Sequence, residues 1–408
     1  MPKLLQINVT ANWGSTGQIA ETCNRFAARK GWEVYAAYGR YMNPGDSQLV
    51  CTSSKWDVYE HYAEHRIFDN EGLASRRCTK RLVEEIKCIQ PDIVHLHNIH
   101  DHWLNYQILF EYLNQTDIKV LWTFHDFWAI TGHCSHFVQA NCNQFQAECV
   151  SCPYTKGKLL PLLKRTNRNF NLKRKLFTAN NNLHIVSVSD WVGENVAKSF
   201  LKDKDLRVIH NGVDTEVFKP TKFQEVSDGI RWFQEATDRK FVIMAVSSQW
   251  KSGSKGLDDY KAMAAMLKDD EVIVLVGVPV EIYKDFPPNI IGIKRTNNQQ
   301  ELAALYTHAD VVCSFSSAET FGLTIVEGYA CGTPAVVYDN TAPPSLITPK
   351  TGFVVTNGNN KHAYSAIQQI KLNGKQHYSE ACISLAREKY DKDKCFEKYV
   401  ELYEELVR

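Results

Sequence analysis

The sequence predicts an α/β protein made of two doubly wound parallel sheets, and three observations point there. Strand-like and helix-like runs alternate from one end of the chain to the other, the pattern of sheets with helices on both faces. The strand-like runs fall into two successive sets, separated by a polar stretch at residues 211–239 that holds Pro220 and a charged insert. The chain has 408 residues, enough for about two domains.

The first set of strands is predicted at residues 3–9, 34–38, 92–95, 119–124, 184–187 and 206–209. The second is predicted at 241–246, 272–276, 290–293, 311–315, 335–337 and 352–355. Each run is short, apolar and rich in β-prone residues. Helices are expected at 18–29, 190–201, 256–267, 299–308 and 323–331, the last stopped by Gly332 and Pro334. Residues 392–408 read as an amphipathic helix with Phe396, Tyr399, Val400, Tyr403 and Leu406 on one face. The expected division is 1–215 with a cysteine-rich insert at 133–153, then 216–391, then a terminal helix at 392–408.

Composition narrows the function. Hydrophobic residues make up 44% and charged residues 23%, with a formal net charge of +1, so nothing draws the chain globally toward nucleic acid. The N-terminal run lacks the apolar core of a signal peptide, and no apolar run is long enough to span a bilayer, so a cytoplasmic protein is expected. Twelve cysteines then argue for thiols or metal ligands rather than disulfides. Cys23, Cys51, Cys78, Cys88, Cys313, Cys331, Cys382 and Cys395 are scattered and read as small core residues.

The richest segment is Glu319-Thr-Phe-Gly-Leu-Thr-Ile-Val-Glu327. It joins a buried strand to a helix, so the amides of Thr320, Phe321, Gly322 and Leu323 lie at a helix N-terminus, where an anion is favoured. Glu319 stands at that mouth and Glu327 further along. Carboxylates accept hydrogen bonds on both oxygens, which suits sugar and ribose hydroxyls. A ligand with phosphates in the middle and hydroxyls at both ends fits the pattern. A capping acid and a solvated face fit the two glutamates as well.

Other chemistry-bearing residues follow strand ends. Gly14 and Gly17 lie in the loop after the first strand, where glycines let amides approach a phosphate; a plain tight turn is the alternative. Lys255 precedes Gly256 between a strand and a helix, placed to meet a diphosphate as a point charge, with Lys251 nearby. His125 follows an apolar strand. Asp126 is not read as its partner, because adjacent residues at a strand end point apart. Arg295 and Thr296 follow the strand at 290–293, where a base could lie. Ligands of open α/β sheets bind beyond the carboxyl ends of the strands, so these positions predict one central cleft faced by both domains. His95 and His97 fall on one face by alternation, with His100 and His102 beyond them, and metal binding is one reading of that cluster.

Four of these segments resemble the retaining GT-B glycosyltransferases, in particular glycosyltransferase family 4. They are Glu319 to Glu327; Val208-Ile-His-Asn-Gly-Val-Asp214 with Val217-Phe-Lys-Pro220; Gln249-Trp250 with Lys255-Gly256; and Trp122-Thr-Phe-His125. The resemblance covers nearly the whole chain. It implies the GT-B fold, two Rossmann-like domains facing a central cleft, with the C-terminal helix packed back on the first domain. It implies transfer of a hexose-type sugar, with retention, from a UDP- or GDP-sugar to a saccharide or lipid-linked saccharide in polysaccharide biosynthesis. Glu319 would hold the donor sugar, Glu327 the ribose, Lys255 and the helix amides the diphosphate without a metal, and His125 a sugar hydroxyl. Gln249 stands where the family usually has arginine, and Lys251 is a candidate replacement. A nucleotide-sugar epimerase of the same architecture and a non-catalytic sugar-nucleotide-binding protein are the alternatives.

Two features belong to the subfamily resembling colanic-acid-type enzymes or stand alone. Cys134, Cys142, Cys149 and Cys152 suit a structural zinc, with His133 and His136 as competing ligands and free thiols or disulfides as alternatives. Residues 156–175 carry basic residues and no acid, interleaved with leucines. They suit peripheral contact with an anionic membrane face or a lipid-linked phosphate, or a solvated helix face.

Overall fold

The computed structural model describes residues 1–153, 161–222, 231–238, 240–250 and 253–408. They form two compact units: Met1–His210 with Phe396–Arg408, and Asn211–Cys395.

The first unit is built on a parallel sheet of β1 (Lys3–Ile7), β2 (Glu33–Tyr38), β3 (Gln48–Cys51), β4 (Ile93–Leu96), β5 (Lys119–Phe124), β6 (Leu183–Ser187) and β7 (Asp205–Val208). Their order across the sheet is β3-β2-β1-β4-β5-β6-β7. The chain turns outward in both directions from β1, so the crevice between β1 and β4 is the topological switch point. The helices are α1 (Gly14–Arg29), α2 (Lys55–Phe68), α3 (Arg76–Ile89), α4 (Tyr106–Leu113), α5 (Thr166–Thr178) and α6 (Asp190–Val196). In α3 the apolar residues Leu82, Val83, Ile86 and Ile89 recur at helical spacing and are buried.

The second unit begins with α7 (Arg231–Ala236) and carries β8 (Phe241–Val246), α8 (Leu257–Ala264), β9 (Glu271–Val276), β10 (Ile290–Ile293), α9 (Gln299–His308), β11 (Val311–Ser314) and α10 (Leu323–Ala330). It continues through β12 (Ala335–Tyr338), β13 (Gly352–Val355), α11 (Asn360–Asn373) and α12 (Gln376–Lys389) to the start of α13 (Lys392–Val407). Its sheet runs β10-β9-β8-β11-β12-β13, with the switch point between β8 and β11. Parallel strands covered on both faces read as continuous apolar runs, which is why β9 and β12 are buried at every position.

The end of α13 belongs to the first unit. Phe396, Tyr399, Val400 and Tyr403 are buried among Leu4, Ile19, Cys23, Phe26 and Trp32. Phe396 lies 5.9 Å from Phe26 and Tyr403 5.8 Å from Trp32, centroid to centroid. Each such side chain contributes roughly 1.5–3 kcal/mol by burial.

Two local expectations change. The strand β3 was not anticipated: Gln48, Leu49, Val50 and Cys51 make a short edge whose end residues are exposed, so its sequence lacks a buried strand's signature. The helix α1 starts at Gly14 rather than residue 18, which draws both loop glycines into its first turn.

Candidate active site

In the second unit, Lys255 precedes α8 and Glu319 precedes α10, the helices that follow the neighbouring strands β8 and β11. The two side chains meet directly: Lys255 Nζ lies 2.9 Å from Glu319 Oε2, both partly exposed at 19% and 27%. The loop carrying Lys255 is pressed against the end of β11. Gly256 has φ +71°, and a Cβ there would sit 2.4 Å from the Phe315 carbonyl oxygen, so only glycine fits both the turn and the approach. The Ser317 N–H donates to the Ser254 carbonyl at 2.8 Å, and the Ala342 N–H to the Glu319 carbonyl at 3.1 Å. The first bond ties the Lys255 loop to the Glu319 loop, and the second ties the Glu319 loop to the segment after β12.

The helix α10 starts from Gly322, whose φ of +109° again demands glycine. The first N–H groups of a helix have no partner within it, so those of Leu323 and Thr324 supply the positive end that the sequence predicts. One turn further, Glu327 accepts a hydrogen bond from the Tyr306 hydroxyl at 2.8 Å. Burial pushes the Glu327 carboxyl up to about 7, and the Tyr306 bond opposes that rise. Phe321 is buried, edge-on to Tyr390. Thus Lys255, Glu319, Gly322 and Leu323 stand beyond the carboxyl ends of the central strands β8 and β11, with Glu327 one turn into α10.

In the first unit, His125 follows β5 and belongs to a buried hydrogen-bond relay. His97 Nδ1 lies 2.9 Å from His125 Nε2, with the rings stacked 5.2 Å apart. His97 Nε2 lies 2.8 Å from Gln6 Oε1, and Gln6 Nε2 donates to the Tyr403 hydroxyl at 3.3 Å. Tyr403 Oη lies 2.7 Å from His95 Nδ1, His95 Nε2 lies 2.8 Å from Thr123 Oγ1, and Thr123 donates to Tyr399 at 3.3 Å. The Gln6 amide sets the direction of both branches. Its oxygen needs a donor, so His97 carries its proton on Nε2 and accepts on Nδ1. His125 therefore donates from Nε2 and keeps Nδ1 as an acceptor. Along the other branch Tyr403 accepts from Gln6, donates to His95 Nδ1, and His95 donates to Thr123.

Burial holds these imidazoles neutral: it depresses His95 and His97 well below the ordinary range, and His125 to about 4. Alternation does put His95 and His97 together, 4.2 Å between centroids. Both nitrogens of each ring are engaged in the relay, which leaves them no lone pair for a metal. Among the described residues no group of three or more His, Cys, Asp or Glu is arranged to hold a metal ion.

Asp126 turns away from His125, as strand-end geometry predicts, and pairs with His100 at 2.8 Å. Against the opposing effect of burial, that pairing lifts His100 to about 9 and holds Asp126 at about 2. Asp126 also accepts from the Trp128 N–H at 2.8 Å. The pair braces the segment after β5.

The remaining expectations divide. A Cβ on Gly14, with φ +65°, would meet nothing within 4 Å, whereas one on Gly17 would lie 2.7 Å from Thr10 Oγ1. Gly17 therefore serves close packing of α1 on the preceding loop, and Gly14 serves the turn. Arg295 is exposed beyond β10, and two strands separate β10 from β11, so it stands apart from the Lys255–Glu319 pair. Lys251 lies outside the described residues. Cys134, Cys142, Cys149 and Cys152 line one small cavity with His133, and burial pushes Cys134 up to about 12 and Cys149 up to about 11, as neutral thiols. Their arrangement gives zinc no support. The basic run is not a uniform exposed face. Lys173 is buried, donates to the Trp128 and Thr131 carbonyls at 2.6 and 3.1 Å, and lies 3.4 Å over the Trp128 ring. Residues 154–160 of that region lie outside the described residues. No helix among the described residues is long and apolar enough to cross a membrane.

Sequence reasoning missed Gln6, Thr123, Tyr306, Tyr399 and Tyr403 as partners of the site. One signal was present: Gln6 is a lone amide in the otherwise apolar interior of β1, fully buried.

Known proteins share this architecture. Residues 14–217 match the family model described as Glycosyltransferase Family 4, and residues 230–389 match Glycosyl transferases group 1. The chain is 19% identical to the putative colanic acid biosynthesis glycosyl transferase WcaC of Escherichia coli K12, over 99% of this chain and all of that protein. Among solved structures, sucrose-phosphate synthase from Thermosynechococcus elongatus superimposes with a TM-score of 0.72 at 15% identity, covering 100% of this chain and 99% of that one. Anabaena Alr3699/HepE in complex with UDP and glucose gives 0.66 at 15% identity, covering 99% and 100%. The fold is accordingly GT-B, with two Rossmann-like units.

Proposed function

The chain belongs to Glycosyltransferase Family 4, and we propose that it moves a hexose-type sugar from a nucleoside-diphosphate donor to a saccharide acceptor in polysaccharide assembly, with retention of anomeric configuration. The observation that carries this reading is the Lys255–Glu319 pair at the mouth of α10, with Glu327 one turn beyond. In this reading the diphosphate lies against the α10 amides and takes the Lys255 ammonium from Glu319. The freed Glu319 carboxylate then accepts hydrogen bonds from the donor sugar, and Glu327 holds the ribose. In the first unit, His125 Nδ1 accepts a hydrogen bond from a hydroxyl of the reacting saccharides.

The chemistry follows from charge. The acceptor oxygen bonds to the anomeric carbon on the face from which the diphosphate departs. The bond from that carbon to the diphosphate oxygen breaks, and the acceptor's proton passes to the departing oxygen. Stabilising the negative charge that grows on the diphosphate is the largest expected term, and Lys255 with the helix N-terminus supplies it. Because Lys255 starts out paired, the same charge neutralises Glu319 in the empty site and the leaving group in the filled one.

The complex of HepE with UDP and glucose makes UDP-glucose the first donor to test. Thermal unfolding with UDP, GDP, ADP and their sugar conjugates should show one nucleotide series raising the melting temperature by mass action. Sugar should then transfer only with an acceptor present. No shift with any series, or conversion of the donor without an acceptor, would overturn the reading.

A further inference from the structure

A basic groove lies in the first unit, whereas the Lys255–Glu319 pair belongs to the second. The groove has a volume of about 500 Å³, within the range of ligand pockets, and is lined by Arg76, Lys80, Arg165 and Arg168 with Asn70 and Gln107. No carboxylate lines it. Arg76 pairs with Glu64 at 3.0 Å, whereas Lys80, Arg165 and Arg168 enter no ion pair among the described residues. The Arg168 guanidinium is held below its usual range, first by burial and next by the charge of Arg165. Four cations thus line the groove with no carboxylate among its lining residues; the nearby acids are Glu64, taken by Arg76, and the buried Asp69, whose charge partly offsets the fall at Arg168. The helix α3 sharpens this: it opens with Arg76 and Arg77, and no acid stands in its first turn, although the positive end of a helix favours acids.

Beside the cations lies exposed apolar surface. Leu162 and Leu163 are 77% and 48% exposed, and Ile67 and Phe68 at the end of α2 are 41% and 39% exposed. They form one patch, because the Leu162 and Leu163 N–H groups donate to the Arg66 and Ile67 carbonyls at 2.9 and 3.0 Å. Arg165 joins the two features: its guanidinium lies 5.7 Å from the Phe68 ring centre, and its N–H donates to Asp69 at 2.8 Å. The Asp69 carbonyl and the Asn70 side chain in turn accept from Arg168. A soluble phosphate needs the cations alone. An amphiphile needs both, its headgroup charge on the basic groove and its chain on the apolar lip.

We propose that this groove binds the phosphate or diphosphate headgroup of a membrane lipid, with Ile67, Phe68, Leu162 and Leu163 entering the acyl or prenyl surface. Its role rests on the proposed transfer reaction: a lipid carrying the saccharide acceptor by a phosphate link is presented at this face. The binding itself is independent of turnover.

The test uses the full chain and phosphatidylcholine vesicles, plain or doped with a polyprenyl diphosphate or phosphatidylglycerol, in flotation assays. The protein should float with the doped vesicles, and added salt should release it. A Lys80→Gln/Arg165→Gln variant should weaken partitioning by about fivefold per charge, roughly thirtyfold together. A Leu162→Ser/Leu163→Ser variant, altered only at exposed positions, should weaken it independently. Equal partitioning to plain and doped vesicles would overturn the proposal, as would variants that float like the wild type. So would stabilisation by inorganic pyrophosphate without vesicle binding, which would mark a site for a soluble anion. Donor-induced thermal shifts, read on the same samples, separate the two failures. Lost vesicle binding with an intact donor shift sinks the lipid site alone, and a lost donor shift with intact vesicle binding sinks the transferase assignment alone.

Discussion

Replacing Gln6 with methionine should test the relay at its source. Methionine keeps the length and nearly the volume of the side chain, so packing changes little. It removes both bonds of the amide, leaving the His97 Nε2–H and the Tyr403 hydroxyl buried without their Gln6 partner. The orphaned His97 N–H costs about 1–3 kcal/mol, and the Tyr403 hydroxyl, which keeps its bond to His95, loses one accepted bond worth about 1 kcal/mol, so the change should cost roughly 3 kcal/mol. For a unit of this size that lowers the melting temperature by about 6–12 °C. The second effect is chemical. Freed from Gln6, His97 can carry its proton on Nδ1 and donate to His125, which then holds its own proton on Nδ1 and presents a donor where the reaction wants an acceptor. One misdirected hydrogen bond should lower kcat about tenfold, while nucleotide binding in the second unit stays as it was. The assay is initial-rate sugar transfer over a pH series, beside thermal shift with the donor nucleotide. Gln6→Glu separates tautomer from packing. Its carboxylate accepts from His97 Nε2–H but also raises the His97 pKa, so activity should recover as pH rises and His97 sheds its second proton. Unchanged turnover in Gln6→Met, or a Gln6→Glu variant as impaired as methionine at every pH, would refute the reasoning.

Three further outcomes are expected. Glu319→Ala should depress turnover far more than nucleotide affinity, whereas Lys255→Ala should damage both, by about 1.5–3 kcal/mol for the lost charge-assisted contact; isothermal titration beside initial rates checks this, and an active Glu319→Ala removes Glu319 from the site. Tyr306→Phe removes the bond that restrains the rise of the Glu327 pKa, so the midpoint near 7 should move up and nucleotide affinity should fall most at neutral pH; unchanged pH dependence in titrations would refute the coupling. The melting temperature of the first unit should peak near neutral pH and fall more steeply on the acid side. His61 at about 3, His125 at about 4, and His95 and His97 stay neutral through burial, while unfolded histidines take up protons near pH ~6.5. Stability therefore drops as pH falls below that point, by up to about 1.4 kcal/mol per pH unit for each. His100 and His133, both raised to about 9, stabilise fully below pH ~6.5 and lose that contribution as pH climbs toward 9. Calorimetric scans across this range, with a flat acid limb as the contrary result, decide it.

What the sequence determined by itself was everything encoded in short windows. The strands at β5, β8, β10 and β13 were legible to the residue because short, β-prone apolar runs bounded by turns mark strands even at a sheet's edge, where β10 and β13 lie. The positions of Glu319 and Lys255 between a strand and the helix that follows it were legible, as was that of Glu327 within the next helix, because the strand and helix runs around them are local. Tertiary structure alone decided who partners whom. His95 meets Tyr403 across 308 positions of chain, and no local period carries that pairing. Gln6 showed only as an amide out of place in an apolar strand; that it orients two histidine branches depends on which groups β4, β5 and α13 bring around it. The same limit explains Lys173. In sequence it is one cation among many, and only the fold places Trp128 beneath it and two carbonyls against it, turning a surface charge into an internal clasp. Local patterns specify elements, because backbone geometry and hydrophobic period act over a few residues. Proton direction and charge pairing arise where distant elements converge, because a buried polar group is satisfied by whatever the packing brings within reach.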